Sequence, residues 1–137
     1  MRKKLSALGL GIAVCAAGLL AVPAAHAATV QPAVGCYGSS CDGKDPVQMG
    51  CDSGAYTAAS VSTPQGFVEL RYSAACAANW ARISNSSAGT WFYAQDCGNG
   101  YNQQYYVPAG YTSGWTNMVD GTVTARAGDK GGLTNCV

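Results

Sequence analysis

The sequence predicts an all-β domain, a small disulfide-stabilised barrel or sandwich of about six short antiparallel strands with at most one short helix. Short apolar or β-branched segments recur at close spacing, and Gly, Pro, Asn and Asp lie between them. That pattern is typical of sandwiches and barrels. Six of the seven cysteines follow an N-terminal leader, and an even number of cysteines in a small exported domain indicates disulfide bonds.

The leader has the pattern of a secretory signal peptide. Three cations, Arg2, Lys3 and Lys4, precede an uncharged apolar run from residue 8 to residue 22, and Ala25-His26-Ala27 is a small-x-small cleavage site. The apolar run is short for a membrane span, and the small residues around Pro23 favour processing. The expected location is therefore secreted and extracellular, with no membrane attachment after signal removal.

Cleavage divides the chain into three parts. We expect residues 1–27 to be the signal peptide, residues 28–35 a flexible N-terminal lead, and residues 36–137 a single disulfide-bonded β domain. The processed chain keeps five basic and seven acidic residues, a net charge of −2, so a nucleic-acid partner is not expected. It also loses His26, the only histidine, which excludes histidine-based catalysis and histidine metal ligation.

The six remaining cysteines are expected to form three disulfides out of 15 possible pairings. No C-x-x-C motif is present, so neither a metal nor another cofactor is expected. Cys136 lies one residue from the terminus and would tether an end that otherwise frays, with Cys97 as the suggested partner. The six cysteines are Cys36, Cys41, Cys51, Cys76, Cys97 and Cys136.

The alternation of Val68, Leu70 and Tyr72 with polar residues predicts a half-buried strand. The turn signal at 63–66 predicts a hairpin before it, and Asp120-Gly121 predicts a second hairpin. A helical turn within the Ala-rich stretch 73–83 stays open as an alternative, and no internal repeat is recognised. Loops are expected at 36–51, 84–89 and 97–104, and a glycine-rich tail at 128–135. Expected strands are 55–61, 67–73, 80–83, 90–96, 105–107, 111–119 and 122–127.

Two motifs resemble a known family. The first is C-x4-C-x-G-x-D-P-x3-G-C at 36–51, and the second is V-E-L-R-Y-S-x-x-C-x-A-N-W-A-R at 68–82. Together with W-T-x-M at 115–118, they resemble the YjfA-like family of small exported domains of actinobacteria and bacilli, which has no assigned biochemical function. Similar domains lie outside the membrane on some anchored regulators, which by analogy implies binding or sensing.

A non-catalytic binding module is the preferred function, with an extracellular glycan or an extracellular protein as ligand and a monomer as the expected state. Aromatic side chains interleaved with Asn and Gln suit stacking on sugars or contacts with a peptide. Tyrosines that serve as amphipathic core and rim of a small β domain are the alternative explanation. The candidate ligand-binding residues are Tyr101, Tyr105, Tyr106, Tyr111 and Trp115.

Three other hypotheses stay open. The bridged loop 36–51 could present a rigid segment as an inhibitor of secreted hydrolases. Glu69, the only glutamate, could pair with an aspartate in a carboxylate-based hydrolase, although a strand-face pair with Arg71 explains it more simply. Asp42, Asp45 and Asp52 could form a calcium loop, but calcium loops need more oxygen ligands in a tighter pattern than this. Turn chemistry, in which short carboxylates accept neighbouring backbone N–H groups, is the simpler explanation. No catalytic residue is assigned.

Overall fold

The computed structural model describes residues 33–137, so the expected signal peptide and residues 28–32 of the expected lead lie outside the described residues. The prediction of an all-β, disulfide-bonded fold is confirmed, with one 3-10 turn, Gly38–Cys41, and nine antiparallel strands. No helix within residues 33–137 is long and apolar enough to cross a membrane. The strands are β1 Tyr56–Thr63, β2 Gly66–Ser73, β3 Ala78–Ser84, β4 Trp91–Asp96, β5 Asn102–Tyr106, β6 Gly114–Trp115, β7 Val119–Asp120, β8 Ala125–Asp129 and β9 Gly132–Leu133.

The strands form two sheets that face each other. The first has the order β1-β2-β3, with β6 and β7 both paired to the outer edge of β3, and the second has the order β5-β4-β8-β9. Alternating side chains from both sheets fill the space between them, which defines a sandwich. The core residues are Val68, Leu70, Ala81, Ile83, Phe92, Ala94, Val107, Val119, Ala125 and Ala127.

A second apolar cluster covers the opposite face of the first sheet. Trp80 lies there beneath the cysteine-rich segment, together with Ala78 and Met118. The disulfide Cys51–Cys76 ties this segment to the turn before β3, and Cys36–Cys41 closes a short loop within the segment. The third, Cys97–Cys136, is the pair suggested from the sequence, and it ties the last strand region to the end of β4. The first sheet is therefore apolar on both faces at this end, because a loop segment provides the second cover.

The predicted strand 111–119 is instead interrupted. β6 pairs with Arg82 and Ile83, β7 pairs with Ala78 and Asn79, and Thr116 between them bridges the gap. Its N–H donates to the carbonyl of Ala81 at 2.9 Å, and its Oγ1 accepts the N–H of Ala81 at 3.0 Å. The threonine hydroxyl thus replaces a backbone carbonyl in the ladder, which keeps buried polar groups paired across the irregularity.

The same device recurs at the edge of the second sheet. The N–H of Thr134 donates to the carbonyl of Ala127 at 2.8 Å, and its Oγ1 accepts the N–H of Ala127 at 3.1 Å. Both threonines belong to a short repeat, G-x-T-N-x-V, at 114–119 and 132–137. The expectation of no internal repeat was therefore wrong: each sheet ends on one copy of this motif.

The hairpin predicted at Asp120-Gly121 is wrong. β7 pairs with β3, and β8 pairs with β4, so this turn carries the chain from one sheet to the other. Asp120 Oδ1 accepts the backbone N–H and the hydroxyl of Thr122, both within 2.8 Å. Gly121 donates to the carbonyl of Ala77, and a Cβ at Gly121 would lie 2.6 Å from the backbone of Ala78. Glycine is required here for close backbone approach.

Three smaller expectations also change. The stretch 73–83 forms a turn followed by strand β3, so the strand expected at 80–83 is confirmed and the alternative of a helical turn is wrong. Ala77 in this turn has a positive φ of 44°. Strand β5 begins at Asn102, within the segment expected to be a loop. The glycine-rich tail folds back as β9 against the end of β8. The hairpin predicted around 63–66 is confirmed by the pairing of β1 with β2.

Candidate functional site

A groove of ≈ 830 Å³ lies where the edges of the two sheets come together. One wall is β5 at the edge of the second sheet, and the opposite wall is the interrupted strand of the first sheet. The loop after the 3-10 turn closes one side. The lining residues are Gly43, Lys44, Asp45, Gln48, Met49, Gln104, Tyr105, Pro108, Tyr111, Ser113, Gly114, Trp115 and Asn117.

Three of the five candidate residues line this groove, and each keeps much of its ring exposed. Tyr105 is 48% exposed, Trp115 is 46% exposed and Tyr111 is 63% exposed. Tyr105 continues the inner face of β5, where it meets the buried ring of Phe92 edge-on at 6.3 Å between centroids. Its position is therefore fixed by the core although its outer edge is open to the groove.

Tyr101 borders the same groove without lining it. Its hydroxyl accepts the amide of Gln103 at 2.8 Å and lies 3.5 Å from the position that a Cβ on Gly43 would occupy. Gln103 and Tyr105 share one face of β5, and Tyr101 precedes the strand in the same alternation. Tyr105 of this face lines the groove, and Gln104 of the opposite face also reaches it, because β5 is an edge strand.

Tyr106 lies on the other face of β5 and does not join the groove. It is paired with Trp91, whose ring stacks on Tyr93 at 5.0 Å between centroids. These three rings form a separate aromatic strip on the outside of the second sheet, beside a shallower depression of ≈ 370 Å³. The candidate residues from 101 to 115 therefore divide between two surfaces. The alternation of side chains along β5 would have shown this division, had the strand been recognised from Asn102.

The loop wall was not anticipated from the sequence. Asp45 Oδ1 accepts the backbone N–H groups of Val47 and Gln48 at 2.8 and 3.0 Å, and its Oδ2 accepts the indole N–H of Trp115 at 3.2 Å. Asp45 therefore both stabilises the turn and orients the indole ring of Trp115 in the groove. Two backbone bonds, Gly43 N–H to the Met118 carbonyl and Met118 N–H to the Lys44 carbonyl, both at 2.9 Å, fasten the loop to the interrupted strand.

Glu69 is a structural carboxylate. Arg82 donates from Nε and Nη2 to its two oxygens at 2.8 and 2.9 Å, and Thr57 donates its hydroxyl at 2.7 Å. The hydrogen bonds from Arg82, then from Thr57, hold the pKa of Glu69 below its usual value. Arg71 binds Thr57 Oγ1 and the carbonyl of Ala55 instead, so the expected pairing with Arg71 is wrong. The cross-strand neighbour Arg82 takes that position because β2 and β3 place it directly opposite.

The buried cysteines cannot act as ligands or nucleophiles in this state. The sulfur atoms of Cys36, Cys41, Cys51 and Cys76 lie within 4.8 Å of one another. They are joined as two disulfides, and a disulfide sulfur carries no thiolate. Their contribution is therefore to the core beneath the loop wall.

The fold and groove define a disulfide-bonded β-sandwich domain whose three bridges fit an oxidising, extracellular setting. A family model described as protein of unknown function, DUF2690, matches residues 39–128, so the chain belongs to that family. No curated protein and no solved structure matches the chain. The matched region includes both walls of the groove and all five candidate aromatic residues.

Proposed function

We propose that this protein is a secreted, non-catalytic binding domain whose groove takes an extracellular glycan. The observation that carries the proposal is the juxtaposition of Tyr105, Tyr111 and Trp115, all partly exposed, in one groove with the polar groups of Gln48 and Asn117. Sugar rings present apolar faces that stack on aromatic rings, while their hydroxyl groups need amide or carboxylate partners.

Export is part of the proposal. The signal-peptide pattern of residues 1–27, the three disulfides and the resemblance to YjfA-like domains all support it. An exported chain is exposed to the polysaccharides of the cell surface. This makes cell-wall glycan the first ligand to test.

The alternatives have less support. The loop 42–51 closes on itself through bonds such as Met49 N–H to the Asp45 carbonyl and Cys51 N–H to the Pro46 carbonyl. It forms a wall of the groove, and no observation favours its presentation as an inhibitory segment. Both oxygens of Glu69 are occupied, which leaves a carboxylate mechanism without its general acid or nucleophile.

Retention on insoluble glycan tests the proposal. Oxidised protein would be incubated with protein-free peptidoglycan sacculi, and the bound fraction measured by sedimentation. We expect Trp115→Ala to weaken retention about tenfold or more, which corresponds to about 1.4 kcal/mol from one lost stacking contact. Tyr106→Ala is the control, because this exposed tyrosine follows the groove residue Tyr105 on β5 and lies on the opposite face of that strand.

The outcomes distinguish the surfaces. Loss with Trp115→Ala and retention with Tyr106→Ala would support the groove. Equal loss with Tyr106→Ala would move the binding surface to the strip with Trp91 and contradict the groove. No retention on sacculi, but retention on walls that keep their proteins, would identify an extracellular protein as the ligand and remove the glycan proposal.

A further inference from the structure

The groove between the two sheets contains one charged side chain without a counter-ion. Of the residues that line it, Lys44 and Asp45 alone are charged. Both oxygens of Asp45 already accept N–H groups, two from the backbone of its own turn and one from the indole of Trp115. Lys44 is exposed and forms no ion pair within 4.0 Å with an acid of residues 33–137. The uncompensated charge among the lining residues is therefore positive.

The other cations of residues 33–137 lie elsewhere. The three arginines donate hydrogen bonds to groups on the outer faces of the sheets or on the neighbouring segment. Lys130, the second lysine, lines the separate depression beside Trp91. The processed chain has a net charge of −2, so the lysine in the groove is not part of a generally basic surface.

The backbone fixes the point from which the Lys44 side chain leaves the loop wall. Its N–H donates to the carbonyl of Cys41, and its carbonyl accepts the N–H of Met118, both at 2.9 Å. The next residue, Asp45, holds the indole N–H of Trp115 at 3.2 Å. The lysine side chain therefore begins one residue away from the contact that orients the main stacking ring.

A neutral sugar would satisfy the amide groups of the groove but not this ammonium group. Sugar hydroxyl groups can exchange hydrogen bonds with Gln48 and Asn117, which also line the groove. A ligand that covers Lys44 removes water from its charge, and an anionic oxygen compensates for that loss better than a hydroxyl group does. The compact charge of a lysine can pair with a carboxylate or a phosphate, because it does not require the planar two-point geometry of arginine.

We propose that the groove selects an acidic glycan, with Lys44 as the residue that pairs with an anionic oxygen beside the sugar stacked on Trp115. The inference rests on the proposed function, because it names the class of glycan that the same groove takes. The chemistry required of the ligand is a carboxylate or a phosphate attached to a sugar repeat.

Calorimetric titration with matched oligosaccharides tests this selectivity. The neutral probe is an oligomer of N-acetylglucosamine. The carboxylate probe has the same length and alternates N-acetylglucosamine with N-acetylmuramic acid, whose lactyl carboxylate is free. The phosphate probe is a glycerol phosphate oligomer substituted with N-acetylglucosamine. We expect an acidic probe to bind the oxidised protein about five- to tenfold more tightly than the neutral probe at low ionic strength. The acidic probe that binds more tightly identifies the source of the anionic group.

Variants of the two lysines assign the preference to one residue. Lys44→Gln should abolish the preference for the acidic probe, and Lys44→Arg should restore it. Lys130→Gln is the matched control, because it removes the same charge from an exposed lysine outside the groove, and it should keep the preference. An equal loss in Lys130→Gln and Lys44→Gln would overturn the role of Lys44, because it would show a general effect of net charge.

The outcomes separate this inference from the proposed function. Equal affinity for the neutral and acidic probes, lost in Trp115→Ala, would overturn the selection of an acidic glycan and leave the glycan-binding groove standing. The absence of binding to all three probes would overturn the glycan-binding groove and this inference with it.

Discussion

At the scale of single residues, the carboxylates divide by whether they have partners. Glu69 is 8% exposed, yet it is fully paired, because Arg82 and Thr57 occupy both of its oxygens. Asp96 is more deeply buried, and neither of its oxygens has a hydrogen-bond partner within residues 33–137. The first arrangement stabilises the outer face of a sheet, whereas burial, then the charges of Asp42 and Asp120, raise the pKa of Asp96 to about 6.

The Glu69 network gives a prediction on stability. Replacing Glu69 with Gln keeps the shape but removes the charge that Arg82 neutralises. We expect a loss of about 1–3 kcal/mol in the free energy of unfolding at neutral pH, since charged hydrogen bonds are lost at a site with one partly exposed partner. Urea unfolding would measure it, with Asp52→Asn as a control expected to change little.

The pH dependence of that loss has a definite sign. The pKa of Glu69 is lower in the folded protein, so its stabilisation is complete above the unfolded value and is lost as pH falls through the folded value. The difference between the parent protein and Glu69→Gln should therefore shrink as the pH is lowered from about 6 to about 3. A difference that stays constant across this range would show that the ion pair does not cause it.

Residue roles were only partly predictable from the sequence. The turn role of Asp45 follows from its neighbours in the chain, and the structure shows it. The influence of Asp42 and Asp120 on the pKa of Asp96 does not, because 54 residues separate Asp42 from Asp96 and 24 separate Asp96 from Asp120. Only the fold brings these charges near enough to one another to raise that pKa.

At the scale of elements, the two G-x-T-N-x-V segments end their sheets in the same way. In each, the buried threonine hydroxyl accepts the N–H of the neighbouring strand and donates to the following asparagine carbonyl, at 2.7 Å for Thr116 and 3.0 Å for Thr134. The chain can therefore leave the regular ladder without leaving a buried amide unpaired. At the first copy, this departure forms one wall of the groove.

The threonine hydroxyls give a prediction at this scale. Thr116→Val and Thr134→Val keep the volume but leave the N–H groups of Ala81 and Ala127 without an acceptor. We expect each variant to lose about 1–3 kcal/mol in the free energy of unfolding, which is the cost of an unsatisfied buried donor. Thr124→Val, at an exposed position, is the control. A loss no larger than that of the control would show that the hydroxyl bonds contribute nothing to folding.

The elements show where local sequence signals are sufficient and where they fail. The alternation through Val68 and Leu70 correctly predicted β2, because one face of that strand is buried against the second sheet. The Asp120-Gly121 signal failed because the turn residues bond to Thr122 and to Ala77 in the turn before β3. Local turn chemistry is real at this position, but the direction of the chain afterwards depends on long-range pairing.

At the scale of the whole molecule, a disulfide closes one end of each sheet. Cys51–Cys76 closes the loop segment onto the turn before β3, with a sequence separation of 25. Cys97–Cys136 joins the end of β4 to the C-terminal copy of the repeat, with a separation of 39. Cys136 also directly precedes Val137, which exchanges backbone bonds with Ala125 at 2.9 and 3.0 Å. Covalent and hydrogen-bonded closure therefore coincide at the C-terminus.

Removing Cys97–Cys136 tests how much this closure stabilises the domain. Cys136 is exposed and Cys97 half-buried, so replacing both with Ala removes little packing. Closing a loop of this length accounts for about 4 kcal/mol of unfolded-state entropy, against about 2 kcal/mol for the five-residue separation of Cys36–Cys41. We expect urea unfolding to show a loss near the larger figure, with the folded far-UV spectrum unchanged. A loss below about 1 kcal/mol would mean that the ladder between Val137 and Ala125 holds the terminus without the bridge, and that the second copy of the repeat is sufficient to close the sheet.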